Sequence, residues 1–154
     1  VNITQLRTLV IQPVLKELGI YSQSAENLLV GTCIAESNGG QYIKQISGPA
    51  LGIYQCEPAT LIDIIENYLH FNKGLFAKLN KFYNPFRNIE QNLISNLEYQ
   101  TAICRIHYRR IKEKLPHAND VKGLAEYWKK YYNTEKGKGS VTVFIEKYKI
   151  YGVN

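Results

Sequence analysis

The run LLVGTCIAESNGG (28–40), followed beyond residues 41–48 by PALGIYQCEPAT (49–60), frames the reading of the whole chain. Leu29, Cys33 and Glu36 are spaced four and three apart, so on a helix they share one face and a carboxylate closes an apolar stripe. Gly39 and Gly40 then end the helix. An acid leaving the core beside two apolar neighbours is partly desolvated, and the negative end of the helix macrodipole disfavours its charge further. Both effects raise its pKa, which is what a general acid working near neutral pH requires. The competing reading of Glu36 is a solvated charge at a helix end. This segment alone does not choose between them.

Outward from this helix, periodicity of the helical kind dominates, and no run of alternating strands is separated by hairpin turns. The expected fold is mainly α, a helical domain with a small glycine-rich loop or β region beside a cleft. A first helix is expected over Thr4 to Leu18, closed by Gly19, and a second from a cap at Ser22 or Ser24 to Ser37. Asn38 to Glu57 is irregular, with a turn at Gly48 and Pro49, and forms the expected cleft wall. Pro58 starts a helix whose apolar face is Leu61, Ile64, Ile65, Tyr68 and Leu69. A short helix over Gly74 to Phe82 leads into a turn at Asn84 to Phe86. The longest helix is then expected from Ile89 to Leu115, central to the core and ended by Pro116. Asn119 or Asp120 caps a helix through Tyr131. The segment SVTVFI (140–145) is favoured as the start of a last amphipathic helix over a strand, because Phe144, Tyr148 and Tyr151 recur at helical spacing.

At 154 residues the chain is most simply one domain, 1–154, long enough to build a core without staples. A hydrophobic fraction of 45% and a charged fraction of 21% argue against disorder. No apolar run approaches the roughly 18 residues of a membrane span. The opening segment VNITQLRTLVIQPVLKELG reads as an amphipathic helix rather than an export signal. The chain starts at Val1 and contains no methionine, which leaves open whether an N-terminal piece precedes it. Cys33, Cys56 and Cys104 are odd in number and set among apolar residues, which fits reduced core thiols better than a disulfide framework. With no C-x-x-C pair and with His70, His107 and His117 scattered, no metal site and no cofactor are expected. A formal net charge of +6 makes an anionic polymer a plausible partner, nucleic acid and bacterial cell wall alike. The basic cluster RIHYRRIKEK (105–114) reads more simply as a solvated helix face.

The segment PALGIYQCEPAT resembles the G-A-x-G-L-M-Q-x-x-P-x-T signature of the soluble lytic transglycosylase and goose-type lysozyme families, members of the lysozyme-like superfamily. There it follows the catalytic glutamate of an E-S dipeptide at about this interval. Ala50, Gly52, Gln55, Pro58 and Thr60 fall on that spacing, and Glu36 with Ser37 supplies the dipeptide. Asn88 and Ile89 match an Asn-Ile pair that opens a long helix in these families. Tyr132 and Asn133 match a Tyr-Asn-x-Gly motif, except that two extra residues precede Gly137. The resemblance covers roughly Leu28 to Gly137, and the version YQCEPAT (54–60) is similar to that of small phage-encoded members. Tyr54 stands where the signature usually has Met, Pro49 where it has Gly, and Glu57 at an apolar position.

This resemblance implies a muralytic enzyme acting on peptidoglycan glycan strands, a phage endolysin or virion-associated lysin. Such a protein would be made in the host cytoplasm and act at the wall, as a monomer, with no nucleic-acid partner. Glu36 would donate the proton to the glycosidic oxygen, and Ser37 would accompany it in the substrate-binding set. Gly52 would let backbone approach the sugar, Gln55 bond sugar hydroxyls or N-acetyl groups, and Tyr54 stack on a ring. Simpler readings stay open for each: Gly52 and Pro58 serving the turn, Tyr54 as core, Gln55 bridging loop backbone, Thr60 packing or capping. By resemblance Tyr132 would orient Glu36, with Asn133 lining the same wall. If Glu36 works alone, it would take a proton from the muramic acid 6-hydroxyl and release a 1,6-anhydro product. If Glu57 or Glu135 positions water, hydrolysis of the lysozyme type follows. Other readings are a silent wall-binding or virion structural domain, and a nucleic-acid binder using residues 105–112 and tyrosines.

Overall fold

A computed structural model describes residues 1–151. Helix α1 (residues 3–17) is α-helical over Ile3–Leu6, opens into a π-helical turn over Arg7–Ile11 and resumes over Gln12–Glu17. The wide turn lies just before Pro13, whose ring would meet the carbonyl four residues back; the Gln12 N–H reaches five residues back to Arg7 instead. Helix α2 (Gln23–Ser37) is capped by the Ser22 hydroxyl, which accepts from the Ala25 N–H. Residues 38–57 form an irregular loop with two isolated antiparallel bridges, Lys44 to Leu51 and Leu51 to Cys56, and no strand occurs among the described residues. There follow α3 (Pro58–Asn67), a 3-10 turn (Leu69–Phe71), α4 (Lys73–Asn80), α5 (Ile89–Ser95) and α6 (Leu97–Arg109). Helix α7 (Val121–Trp128) continues as a second π turn (Lys129–Asn133), and α8 (Val141–Tyr151) closes the described chain. The fold is mainly α, and SVTVFI starts a helix rather than a strand.

The single helix expected over Ile89 to Leu115 is two. Asn96 adopts an extended backbone between α5 and α6, and its side chain accepts from the Tyr99 N–H while donating to Phe82 O at 2.7 Å and to Asn92 Oδ1 at 3.0 Å. A short polar side chain that bonds nearby backbone competes with the helix ladder, and here it ends one helix and caps the next. Nor does Pro116 end α6. The helix stops at Arg109, and the following segment is held against α7, where Glu113 accepts from the Tyr127 hydroxyl through its carbonyl and from Tyr131 through its carboxylate.

The centre of the core is therefore shared by α2 and α6, both buried around most of their circumference. Helix α2 packs against α1, α6, α7 and α8, and α6 against α1, α3, α4 and α5. Gly31 allows the approach of α8: a Cβ there would lie 2.1 Å from the Phe144 ring. Phe144 in turn packs on Trp128 with ring centroids 5.3 Å apart. Deep between α1 and α2, Arg7 pairs with Glu26 at 2.6 Å, and Tyr21 and Gln12 also donate to that carboxylate. Cys33, Cys56 and Cys104 are buried and free, and burial pushes the Cys33 and Cys56 thiols up to about 12.

Candidate active site

Glu36 occupies the last turn of α2, which Asn38 terminates in the left-handed conformation (φ 54°). Its carboxyl sits at the base of a cleft of about 720 Å³, between the loop that carries Gln45, Gln55 and Glu57 and the segment that carries Asn133, Lys136 and Lys138. Trp128 Nε1 donates to Glu36 Oε1 at 2.9 Å. Burial is the largest influence and raises the Glu36 pKa to about 7, against hydrogen bonds from Trp128 and Asn133 and the nearby charge of Lys129. An acid with this pKa is available in both protonation states near neutral pH, so it can donate a proton and take one back.

The π turn after α7 assembles the other half of the site. By widening the helix it lets the Thr134 N–H reach back to Lys129 O at 2.8 Å and brings Trp128, Tyr132 and Asn133 together onto the cleft. Lys129 Nζ donates to Asn133 Oδ1 at 2.7 Å and to Gly137 O at 2.9 Å, which orients the Asn133 amide and draws in the cleft rim. Trp128 and Lys129 escaped the reading of the sequence. The signal was the chain's only tryptophan placed four residues before Tyr132, hence on the same helical face.

Several expected roles change. Tyr132 does not hydrogen-bond Glu36; its hydroxyl donates to Tyr54 O at 2.7 Å, and its ring packs on His107 and Tyr108 with centroids 4.6 and 5.3 Å away. Tyr54 offers no face for a sugar, because it is 1% exposed and its hydroxyl meets Thr101 Oγ1 at 3.0 Å. Ser37 is fully buried and acts as a latch: its hydroxyl donates toward Ile53 O (2.6 Å) and Cys33 O (3.0 Å) and accepts from the Gly40 N–H (2.8 Å). Gly52 (φ 78°) does permit a close approach, but to protein. A Cβ there would lie 2.1 Å from Leu93 O and 2.2 Å from Gln100 Oε1, which also accepts from the Ile53 N–H.

Gln55 lines the cleft at positive φ (50°), and its amide donates to Gly52 O at 2.8 Å, so it braces the loop it belongs to. Glu57 is exposed on the cleft wall at the start of α3, whereas Glu135 lines an adjoining groove with Glu126, Lys130 and Val141, which shares Thr134 and Lys136 with the cleft. The structure thus brings Glu36, Gln55, Glu57 and Asn133 to one cavity and leaves Glu135 out of it. Among the described residues no three His, Cys, Asp or Glu side chains gather as a metal site would require, and no helix is long and apolar enough to cross a membrane. In comparisons with protein-family models, with curated proteins and with solved structures, nothing matches this chain.

Proposed function

We propose that the protein cleaves peptidoglycan glycan strands at the β-1,4 bond between N-acetylmuramic acid and N-acetylglucosamine, as the resemblance to the lysozyme-like lytic transglycosylases implies. The observation that carries this reading is Glu36: a carboxyl with a pKa raised to about 7 that lines a cleft of about 720 Å³ and is held by Trp128 and Asn133. Protonated, it donates to the glycosidic oxygen as the bond breaks and positive charge develops at the sugar ring. As carboxylate, it next removes a proton from the 6-hydroxyl of the muramic acid, whose oxygen closes onto the anomeric carbon. One acid serves both steps, so no second carboxylate is required. The lysyl groups on the opposite rim, Lys136 and Lys138, suit the carboxylates that stem peptides bring to such a strand.

A hydrolytic variant of the same reading rests on Glu57, an exposed carboxyl that shares the cleft with Glu36 and would there position water. The two chemistries separate in the products. Purified protein should clear a peptidoglycan suspension and release anhydro-muramic termini, and Glu36→Gln should abolish release without unfolding the chain. Reducing muramic termini, lost in Glu57→Gln, would establish hydrolysis instead.

A further inference from the structure

A second cavity, of about 500 Å³, shares no lining residue with the cleft. It lies where the turn between α1 and α2 (Gly19, Ile20, Tyr21, Ser22) meets the end of α6 and the segment after it. Arg105 and Arg109 stand four apart on α6, and Lys112 and Lys114 follow on the irregular segment, all four lining the cavity. Arg105 is only 5% exposed. Its Nε donates to Ile20 O at 3.0 Å, and no described side chain accepts from its two terminal nitrogens. Those nitrogens are not fully occluded, and the residue lines the cavity.

Among the described residues nothing neutralises this group of cations. None of Arg105, Arg109, Lys112 and Lys114 forms an ion pair among the described residues. The one acid of the lining, Glu113, is engaged by Tyr131 and Lys130. Burial, and after it the charge of Arg109, draws the Arg105 guanidinium down to about 10, the behaviour of a cation enclosed without a counter-charge. A buried charge is retained at a cost unless something pairs with it. The run that reads in sequence as a solvated helix face is thus half sunk into a pocket.

We propose that this cavity is a binding site for a phosphate group, with Arg105 as its buried fork and Arg109, Lys112 and Lys114 as its rim. A guanidinium presents parallel donors that match two oxygens of a phosphate, and lysines supply point charges to the remaining ones. Four cations against one occupied carboxylate favour a phosphate over a singly charged carboxylate. The site is independent of glycan cleavage, and a free phosphate, a small phosphate ester and the phosphodiester of an anionic polymer share the chemistry it recognises.

The test uses the full chain at pH 7.5 and constant ionic strength, titrated with inorganic phosphate, glycerol phosphate and poly(glycerol phosphate) while heat and melting temperature are followed. The expected result is saturable binding by at least one of them, with a melting-temperature rise of about 3–4 °C at saturation. Tightest binding by the polymer assigns a chain phosphodiester, and tightest binding by either small species assigns a free phosphate or ester. Arg109→Gln/Lys112→Gln, confined to the rim, should weaken binding about tenfold and leave the unliganded melting curve in place. Arg105→Lys, which keeps the charge and loses the fork, should weaken it as well. Chloride producing the same shift at equal ionic strength, unchanged affinity in the rim variant, or no saturable binding by any of the three would overturn the site.

Discussion

At the scale of single residues, the decisive quantity is the raised pKa of Glu36, and it carries a stability consequence with a definite sign. A carboxyl at about 7 in the fold and about 4.5 when unfolded binds more protons in the native state between those values. The fold therefore has its full stability below about pH 4.5 with respect to this group and loses it progressively as pH rises through 7. Glu36→Gln removes the loss, so the variant should melt at a higher temperature than the parent at pH 8, by a free energy of about 3 kcal/mol, and show no such gain at pH 4. Thermal melts of both proteins at the two pH values check this. Trp128 contributes in the opposite direction, since its N–H stabilises the carboxylate. Trp128→Phe should move the alkaline limb of the activity profile to higher pH while lowering the rate, and a pH–rate profile reads both. Glu36 was legible in sequence because an acid closing an apolar stripe before two glycines is a local pattern. The burial of Tyr54 and Ser37 was not, since only their tertiary partners, Thr101 and Ile53, turn the one in the loop and the other at the helix end toward the core.

Among the elements, the two π turns show what periodicity could and could not reveal. Pro13 marks the first, and a helix containing a proline invites the wider turn. The second lies in KKYYN (129–133), where no residue type forces it, yet it sets the register of Tyr132 and Asn133 in the cleft. The break at Asn96 was similarly hidden, because the apolar spacing continues across it and only a side-chain cap interrupts the backbone. Where two caps were open in sequence, Ser22 and Asp120 accept from a first-turn backbone N–H, and so does Asn88, which only the family resemblance placed at a helix start. The contact between α2 and α8 makes a prediction at this scale. Gly31→Ala places a methyl into the Phe144 ring, which abuts Trp128, so overpacking should outweigh the better helix propensity of alanine. We expect a loss of about 1–3 kcal/mol by denaturant titration, with a disproportionate loss of activity through displacement of Trp128.

For the molecule as a whole, charge is distributed in a way that the formal net charge of +6 does not convey. Lysines stand on one rim of the cleft, and a separate arginine-lysine group lines the cavity at the end of α6. Attraction of a basic protein to an anionic envelope is screened by salt, so clearing of a wall suspension should slow as ionic strength rises from 20 to 200 mM, about the range over which the screening length falls from 20 to 7 Å. Turbidity traces across that series measure the effect. The mainly α architecture and the position of the cleft followed from helical periodicity and the glycine-rich interruption at 38–57, both properties of the chain alone. How α2 and α7 meet to enclose one carboxyl depends on packing between segments some ninety residues apart, which no local pattern encodes. The central claim is that this carboxyl breaks the glycan strand, and the most direct measurement is mass analysis of soluble products from purified peptidoglycan incubated with the parent protein and with folded Glu36→Gln. The account predicts fragments ending in 1,6-anhydro-muramic acid from the parent and none from the variant; equal release by the two proteins, or no release by the parent, would contradict it.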